Sequence, residues 1–243
     1  MISVITVNRN NAHGLQLTMQ SVLSQTYVDI EYIVVDGAST DNSVEVIEGF
    51  ASDMRLRWIS EKDNGIYHAM NKGIRMANGK YLIFMNSGDE FYSNDVLKDV
   101  LVDINSIPAD IYYGDVNLCY SNRCVVKTYP DKISKSFLYQ NSLCHQTMFL
   151  KKDLFEKVGL YNENLRIIAD WEWTIKAILK EKQTYKHLST IVANYKMDGI
   201  SYTNERLFRN ERGNIIKSEF SLFYIFIKRC EKIWLKIIKK ILK

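Results

Sequence analysis

Several apolar runs in the first 90 residues end in side chains that offer oxygen or nitrogen to a ligand. Thr6 and Asn8 close the first run and Asp36 the second; Asp63 follows the third by a few residues, and Asn86 and Asp89 lie just past the fourth. Carboxylates gathered at one edge repel each other unless a cation or a set of hydroxyls sits among them. A nucleotide diphosphate with a divalent metal supplies both. The usual phosphate loops are missing. No GxGxxG occurs, and Gly73 to Gly79-Lys80 has five residues between its glycines where a P-loop has four, with Tyr81 in place of the magnesium-binding Ser/Thr. With no glycine loop to cradle the phosphates, a metal must neutralise them. Asp89 is the best-placed hard oxygen ligand for Mg²⁺ or Mn²⁺, ions that take one or two carboxylates plus phosphate oxygens.

The elements that must position these residues alternate. Ile2–Val7 reads as a buried strand from its β-branched apolar run, and Glu31–Val35, Leu56–Ser60 and Lys80–Met85 read as three further strands. Leu15, Met19, Val22 and Leu23 recur at helical spacing; Thr40–Phe50, with Thr40 as its N-cap, and Ile66–Met76 complete the helices between strands. This β-α-β-α-β-α-β order predicts a mostly parallel sheet covered on both faces, with right-handed crossovers. Ligands of such sheets bind beyond the carboxyl ends of the strands, where the polar residues above fall. Past Asp89 the pattern changes: a helix over Asn94–Ile104, strands of mixed order at Ile111–Tyr113, Val125–Tyr129 and Thr147–Leu150, and a helix over Ala169–Lys182. With no repeat and no linker, residues 1–220 form one domain, 1–90 its nucleotide-binding half and 91–220 its acceptor half, followed by a tail over 221–243.

Composition removes several classes. Hydrophobic residues at 47% and charged residues at 25% are ordinary for a globular chain, which excludes a disordered or collagen-like one. Residues 228–243 carry seven Lys/Arg against Glu231 alone, a net +6 set against +4 for the whole chain, so the body is net −2 and is no nucleic-acid binder. The four cysteines form no CxxC and pair with no histidine at zinc-finger spacing, which argues against structural zinc; so few cysteines fit a reducing cytosol. The N-terminus lacks the pattern of a signal peptide, and no uncharged apolar run reaches the ~18 residues of a membrane span.

The stretches SVITVNRNN, EYIVVDGASTDNS, SEKDNGIYHAMNKGI and GKYLIFMNSGD, followed by CHQTMFLKKDLFEKVGLYNENLRIIADWEW, resemble the inverting family 2 glycosyltransferases over roughly residues 2–200. They are similar to bacterial enzymes that build O-antigen and other exopolysaccharide repeat units. The resemblance implies an α/β GT-A (Rossmann-like) fold, with a mostly parallel mixed sheet flanked by helices, and a UDP-like nucleotide-sugar donor. By position, Thr6, Asn8 and Asp36 resemble residues that hold the base and ribose, and Asp63 resembles a further base-side contact. Asp89 resembles the last Asp of the family's DXD-type motif, which binds Mn²⁺ or Mg²⁺ on the diphosphate. Asn86 and Gly88 stand where that motif usually has carboxylates. A ribose contact at 88 is therefore lost, and metal binding leans on the donor's own phosphates. Asp170 resembles the Asp of the family's ED motif, the general base, and it is also a candidate N-cap for its helix.

Other residues keep two readings. His145, on the strand expected there, is a donor-phosphate or acceptor contact or else a packed histidine. Trp171, with Glu172 beside it, is an acceptor-side candidate, whereas Trp173 falls at core spacing. Arg9 reaches phosphate or solvent. The implied reaction stabilises a departing nucleoside diphosphate with metal and cations while a carboxylate deprotonates the acceptor hydroxyl. Attack from the opposite face inverts the anomeric carbon. A sugar-phosphate nucleotidyltransferase is disfavoured, since its glycine-rich loop is absent after Val7. A non-catalytic sugar-nucleotide binding protein at the membrane surface is the alternative to an enzyme.

The tail carries its own pattern. At ~100° per residue, Phe226, Ile227, Cys230, Ile233, Trp234, Ile237 and Ile241 fall on one apolar arc of roughly 200°, into which Glu231 alone intrudes; the seven cations fill the remainder. Such a basic amphipathic helix suits an anionic membrane surface, or else docks on the domain's own core. The resemblance implies a lipid-linked saccharide acceptor, so the expected location is cytoplasmic, peripheral on the inner face of the plasma membrane.

Overall fold

A computed structural model describes residues 1–120, 122–196, 204–228 and 230–231. Its first half follows the sequence pattern closely: β1 (Ile2–Asn8), α1 (Ala12–Leu23), β2 (Ile30–Asp36), α2 (Ser43–Gly49), β3 (Leu56–Ser60), α3 (Ile66–Met76) and β4 (Tyr81–Phe84). β1 lies between β2 and β4 and β3 flanks β2, all in parallel. β1, β2 and β4 are buried throughout, as continuous apolar runs covered on both faces must be. Register does the positioning: Asn8 pairs with Asp36, and Asp36 with Ser60, so three polar residues stand in line at the carboxyl edge.

The second half comprises β5 (Glu90–Phe91), α4 (Val96–Ser106), β6 (Ile111–Cys119), β7 (Cys124–Lys127), α5 (Lys135–Gln140), β8 (Met148–Lys151), α6 (Leu154–Lys157), α7 (Ala169–Ile175), β9 (Tyr185–Lys196) and α8 (Glu205–Glu219). A π-helical turn at Lys176–Lys180 extends α7. The sheet runs β3-β2-β1-β4-β8-β6-β9-β5, with β7 paired to β6. β8 is antiparallel to both β4 and β6, and β9 runs parallel to β6 and antiparallel to β5. Alternate residues of each strand feed two cores. Ile5, Val7, Ile33 and Val35 pack under Tyr67, Met70, Trp171 and Trp173; Ile2, Val4, Tyr32 and Val34 pack under Leu15, Met19 and Leu97.

The structure departs from expectation in several places. α2 starts at Ser43 with Asn42 as its N-cap; Thr40 instead gives its backbone N–H to Asn10 Oδ1 at 2.7 Å, joining two loops. His145 lies in a 3₁₀ turn, His145–Thr147, ahead of β8 and not in a strand. β6 runs well past Tyr113, and its register against β9 shifts around Asp115. Gly114 allows the approach at that bulge, since a Cβ there would stand 2.5 Å from the Thr190 carbonyl oxygen. A disulfide joins Cys119 and Cys124 across the β6–β7 hairpin. No spacing rule in the sequence marks that pair, and it is at odds with the reducing compartment suggested by the low cysteine count.

Residues 222–228 and 230–231 are helical, and the rest of the expected tail helix, 229 and 232–243, lies outside the described residues. This first stretch docks on the domain. Ile225 is buried in the core, and the Tyr224 ring packs on Phe220 and edge-on to Tyr139. The other side faces out: Leu222 is 79% exposed, Phe223 74% and Phe226 64%. Among the described residues no helix is long and apolar enough to cross a membrane.

Candidate active site

Two adjoining cavities open beyond the carboxyl edge and share Asn11, Ile66, Asn86 and Ser87 in their walls. The smaller, of about 340 Å³, is lined by Asn8, Arg9 and Asp63. Asn8 accepts from the Ser87 hydroxyl at 2.7 Å and donates to Asp36 Oδ1 at 2.8 Å. Asp36 is fully buried and saturated. Its Oδ1 also accepts from the Ser39 hydroxyl at 2.5 Å, and its Oδ2 from the Ser39 N–H at 2.9 Å and the Ser60 hydroxyl at 2.7 Å. Burial works to raise its pKa, but the donors from Ser39, Ser60 and Asn8 outweigh it and hold the carboxyl below its ordinary range. Thr6 is buried too, donating to the Met85 carbonyl at 2.6 Å. Thr6 and Asp36 line neither cavity. Asp36 positions Asn8 and the Ser39 loop, and Thr6 ties β1 to the Met85 carbonyl beyond β4.

Asp63 is held by a neighbour's lack of side chain. Its Oδ1 accepts from the Gly65 N–H at 3.0 Å, while its Oδ2 occupies the space that a Cβ on Gly37 would need. Gly37→Ala should therefore turn the Asp63 carboxylate aside. The expected result is a ~10–100-fold loss of UDP affinity by calorimetry, the scale of one hydrogen bond to a charged group, with little change in melting temperature. Unchanged affinity would remove Asp63 from the nucleotide site.

The larger cavity, of about 530 Å³, contains Asn86, Asp89, His145, Gln146, Tyr67, Arg166 and Lys196 in its wall. The Asn86–Asp89 turn is tight: the Asp89 N–H donates to the Asn86 carbonyl at 2.8 Å, and Gly88 adopts φ +104°, a conformation that favours glycine. The Thr18 hydroxyl braces it, accepting from the Gly88 N–H at 2.9 Å and lying 2.7 Å from the Asp89 carbonyl. Asp89 Oδ2 accepts from Gln146 Nε2 at 2.8 Å. Among the described residues no three His, Cys, Asp or Glu side chains converge to hold an ion unaided. The donor set still fits a divalent ion that arrives with its substrate. Asp89 would offer a hard oxygen from the wall, and diphosphate oxygens and water would supply the remaining oxygen ligands that Mg²⁺ and Mn²⁺ prefer.

Asp170 is the second residue of α7, whose N-cap is Ile168, and its side chain makes no cap, so the capping alternative fails. Its Oδ1 lies 2.9 Å from the Tyr67 hydroxyl and its Oδ2 3.2 Å from His145 Nδ1. The Tyr67 hydroxyl also lies 2.6 Å from the Ile167 carbonyl. Burial, with the Asp170 charge beside it, keeps that phenol protonated far above its usual range. His145 Nε2 lies 3.0 Å from Asn86 Nδ2, so one hydrogen-bond chain runs from Tyr67 through Asp170 and His145 to the Asn86–Asp89 turn.

Other residues fall outside the cavities. Trp171 is buried, its indole N–H within 3.0 Å of the Leu138 carbonyl and 2.9 Å of the Asn141 carbonyl, and the Arg212 guanidinium covers its ring at 4.4 Å. It offers no face to a sugar. Glu172 pairs with Lys176 at 3.1 Å along α7 and lines neither cavity. Trp173 packs in the core against Phe155, as its spacing indicated. Gln146, Arg166 and Lys196 escaped the sequence reading. Gln146 adjoins His145 in the CHQ stretch, the one available signal. Arg166 depends on a distant residue: Glu211 of α8 accepts from the Arg166 N–H at 2.7 Å and the Ile167 N–H at 3.1 Å and so fixes that loop.

A chain with this sequence and sheet has known counterparts. Residues 3–159 match the family model of glycosyl transferase family 2. The chain is 32% identical to the PGL/p-HBAD biosynthesis glycosyltransferase of Mycobacterium bovis (strain BCG / Pasteur 1173P2) over 208 residues, which cover 84% of this chain and 80% of that one. This chain belongs to glycosyltransferase family 2. Its architecture is the GT-A fold. It is similar to S. aureus TarS 1-349 in complex with UDP-GlcNAc, with a TM-score of 0.69 and 21% identity over 80% of this chain and 58% of that one. It is also similar to the mannosyltransferase PcManGT from Pyrobaculum calidifontis in complex with GDP-Man and Mn²⁺, with a TM-score of 0.66 and 17% identity over 87% of this chain and 61% of that one. The chain thus spans less than two thirds of either solved chain.

Proposed function

We propose that this glycosyltransferase moves a sugar, with inversion, from a UDP-sugar to a lipid-linked saccharide during surface polysaccharide biosynthesis. The observation that carries the reading is the division of labour between the chambers. The smaller offers neutral and single-charge hydrogen-bonding groups, Asn8 and Asp63, suited to a base and ribose. The larger has Asp89, Arg166 and Lys196 for a diphosphate, and the pair His145–Asp170 next to it. TarS binds UDP-GlcNAc in its solved complex, which supports a uridine donor.

Mn²⁺ or Mg²⁺ held by Asp89 would offset charge on the leaving diphosphate. Arg166 and Lys196 add fixed positive charge at the same place. Asp170 supplies the basicity that removes the acceptor proton, and its anionic charge is kept near the hydroxyl by Tyr67 and His145. A panel of UDP-sugars with Mn²⁺ tests the assignment. Release of UDP from one donor is the expected result, and binding without release would favour a non-catalytic sugar-nucleotide binder.

The membrane part of the proposal rests on the helix over residues 222–228. Tyr224 and Ile225 anchor it while Leu222, Phe223 and Phe226 face outward, and Phe223 and Phe226 fall on the apolar arc that the tail sequence continues. A helix lying on anionic lipid at the cytoplasmic face would hold the body near a lipid-linked acceptor. Such a location requires the Cys119–Cys124 pair to be reduced there. Cutting the chain at 221 would strip Tyr224 and Ile225 from the core, so substitution of the outer face is the cleaner test. Phe223→Asp with Phe226→Asp should abolish co-sedimentation with anionic vesicles and leave UDP release in solution unchanged. Retained vesicle binding would exclude this face.

A further inference from the structure

We infer that Glu211 of α8 is a positioning residue for the transfer step, holding from a distance the segment that leads into Asp170. This rests on the transferase reading and deepens it: Asp170 stays the base, and Glu211 sets its place. Glu211 is buried, and its two oxygens take two consecutive backbone N–H groups. The Arg166 N–H donates to Oε1 at 2.7 Å and the Ile167 N–H to Oε2 at 3.1 Å. A carboxylate suits this pair because it offers two acceptors and no donor. A glutamine in its place would accept one N–H and turn its own amide hydrogens toward the other. A buried charge is costly unless it is hydrogen-bonded, so the carboxylate and the conformation of residues 166–167 depend on each other.

The hold passes to the base by direct contact. The Ile167 carbonyl lies 2.6 Å from the Tyr67 hydroxyl, and that hydroxyl lies 2.9 Å from Asp170 Oδ1. One residue of backbone and one hydroxyl therefore separate Glu211 from the base. The next residue of α8 grips the chain beyond it. The Arg212 guanidinium covers the Trp171 ring at 4.4 Å while its Nη2 donates to the Tyr139 carbonyl at 2.6 Å. Two adjoining residues of one helix thus hold the backbone on either side of Asp170. The start of α7 has need of such support, because its N-cap is Ile168 and no side chain caps its first turn. A reacting group displaced by about 1 Å loses on the order of 10²-fold in rate.

The test is a double-mutant cycle on turnover with Glu211→Gln, Asp170→Asn and the two combined. Each rate is counted per UDP-binding site, so an unfolded fraction does not enter. Glu211→Gln alone should lower turnover by ~10–10²-fold. UDP affinity should stay within about threefold, because Asn8 and Asp63 of the smaller chamber belong to the other half of the chain. With Asp170→Asn already present, the same substitution should cost at most about threefold more, since the group it positions has lost its basicity. A loss of equal size in both backgrounds would make Glu211 a support of the fold alone and overturn the inference. So would Glu211→Gln turnover within a few-fold of normal.

Tyr67→Phe keeps the ring against Tyr161 and removes only the hydroxyl between Ile167 and Asp170. It should lose turnover to a similar extent, and it decides the matter if Glu211→Gln does not fold. Normal turnover in Tyr67→Phe would break the path and overturn the inference. An active parent with an unaffected Glu211→Gln overturns this inference alone. Absence of transfer by the unsubstituted protein would overturn the transferase reading, and this inference with it.

Discussion

Asp170→Asn should lower turnover by ~10²–10⁴-fold while leaving UDP affinity within about twofold. Asparagine keeps the size of the side chain and one oxygen that can accept from Tyr67 or His145, but it removes the charge. Because Ile168 and not Asp170 occupies the N-cap position, the substitution costs α7 no cap and the fold should persist. Steady-state kinetics, with UDP binding measured separately, checks both parts. Near-normal turnover would mean that Asp170 serves only to hold its neighbours.

Asp89→Ala should abolish the metal-dependent part of donor binding, a loss of ~10²-fold or more in UDP-sugar affinity with Mn²⁺ present, the scale of a charge-assisted contact. The turn itself should survive. The Asp89 N–H bond to the Asn86 carbonyl and the Thr18 contact to the Asp89 carbonyl are both to backbone and need no carboxylate. What is lost is the hard oxygen on the cavity wall and the acceptor for Gln146. Calorimetry with and without Mn²⁺ separates the two effects, and an unchanged metal dependence would place the ion elsewhere.

The sheet's first half was legible because its signals are local. Local apolar runs, continuous in β1 and alternating with polar residues in β3, marked β1, β2, β3 and β4 to within about a residue. What the runs could not convey was depth. Register sets Asn8, Asp36 and Ser60 side by side, and that pairing, with the Ser39 loop folded over it, seals Asp36 away from the chamber it organises. Thr6 is hidden for a related reason, since the alternation that points Ile5 and Val7 into one core points Thr6 at Tyr32 and Met85 on the other side.

The second half was less legible because its elements depend on distant partners. β9 has mixed burial and a register shift against β6, so neither strict alternation nor a continuous apolar run announces it. The 3₁₀ turn at His145 precedes an apolar run that reads as one strand, and only the long-range contacts to Asn86 and Asp170 reveal the turn. Trp171 beside Asp170 suggested a sugar platform. Its burial under Arg212 comes from α8, which no local pattern connects to α7.

The most direct measurement is the anomeric configuration of the product, read by NMR after incubation of the protein with its UDP-sugar, Mn²⁺ and a lipid-linked saccharide acceptor. Attack by an acceptor hydroxyl deprotonated on the face opposite the leaving diphosphate predicts a single product of configuration opposite to the donor's, formed with one UDP released per bond and lost in Asp170→Asn. A product that retains the donor's configuration, or UDP-sugar that binds and is never cleaved, would contradict it.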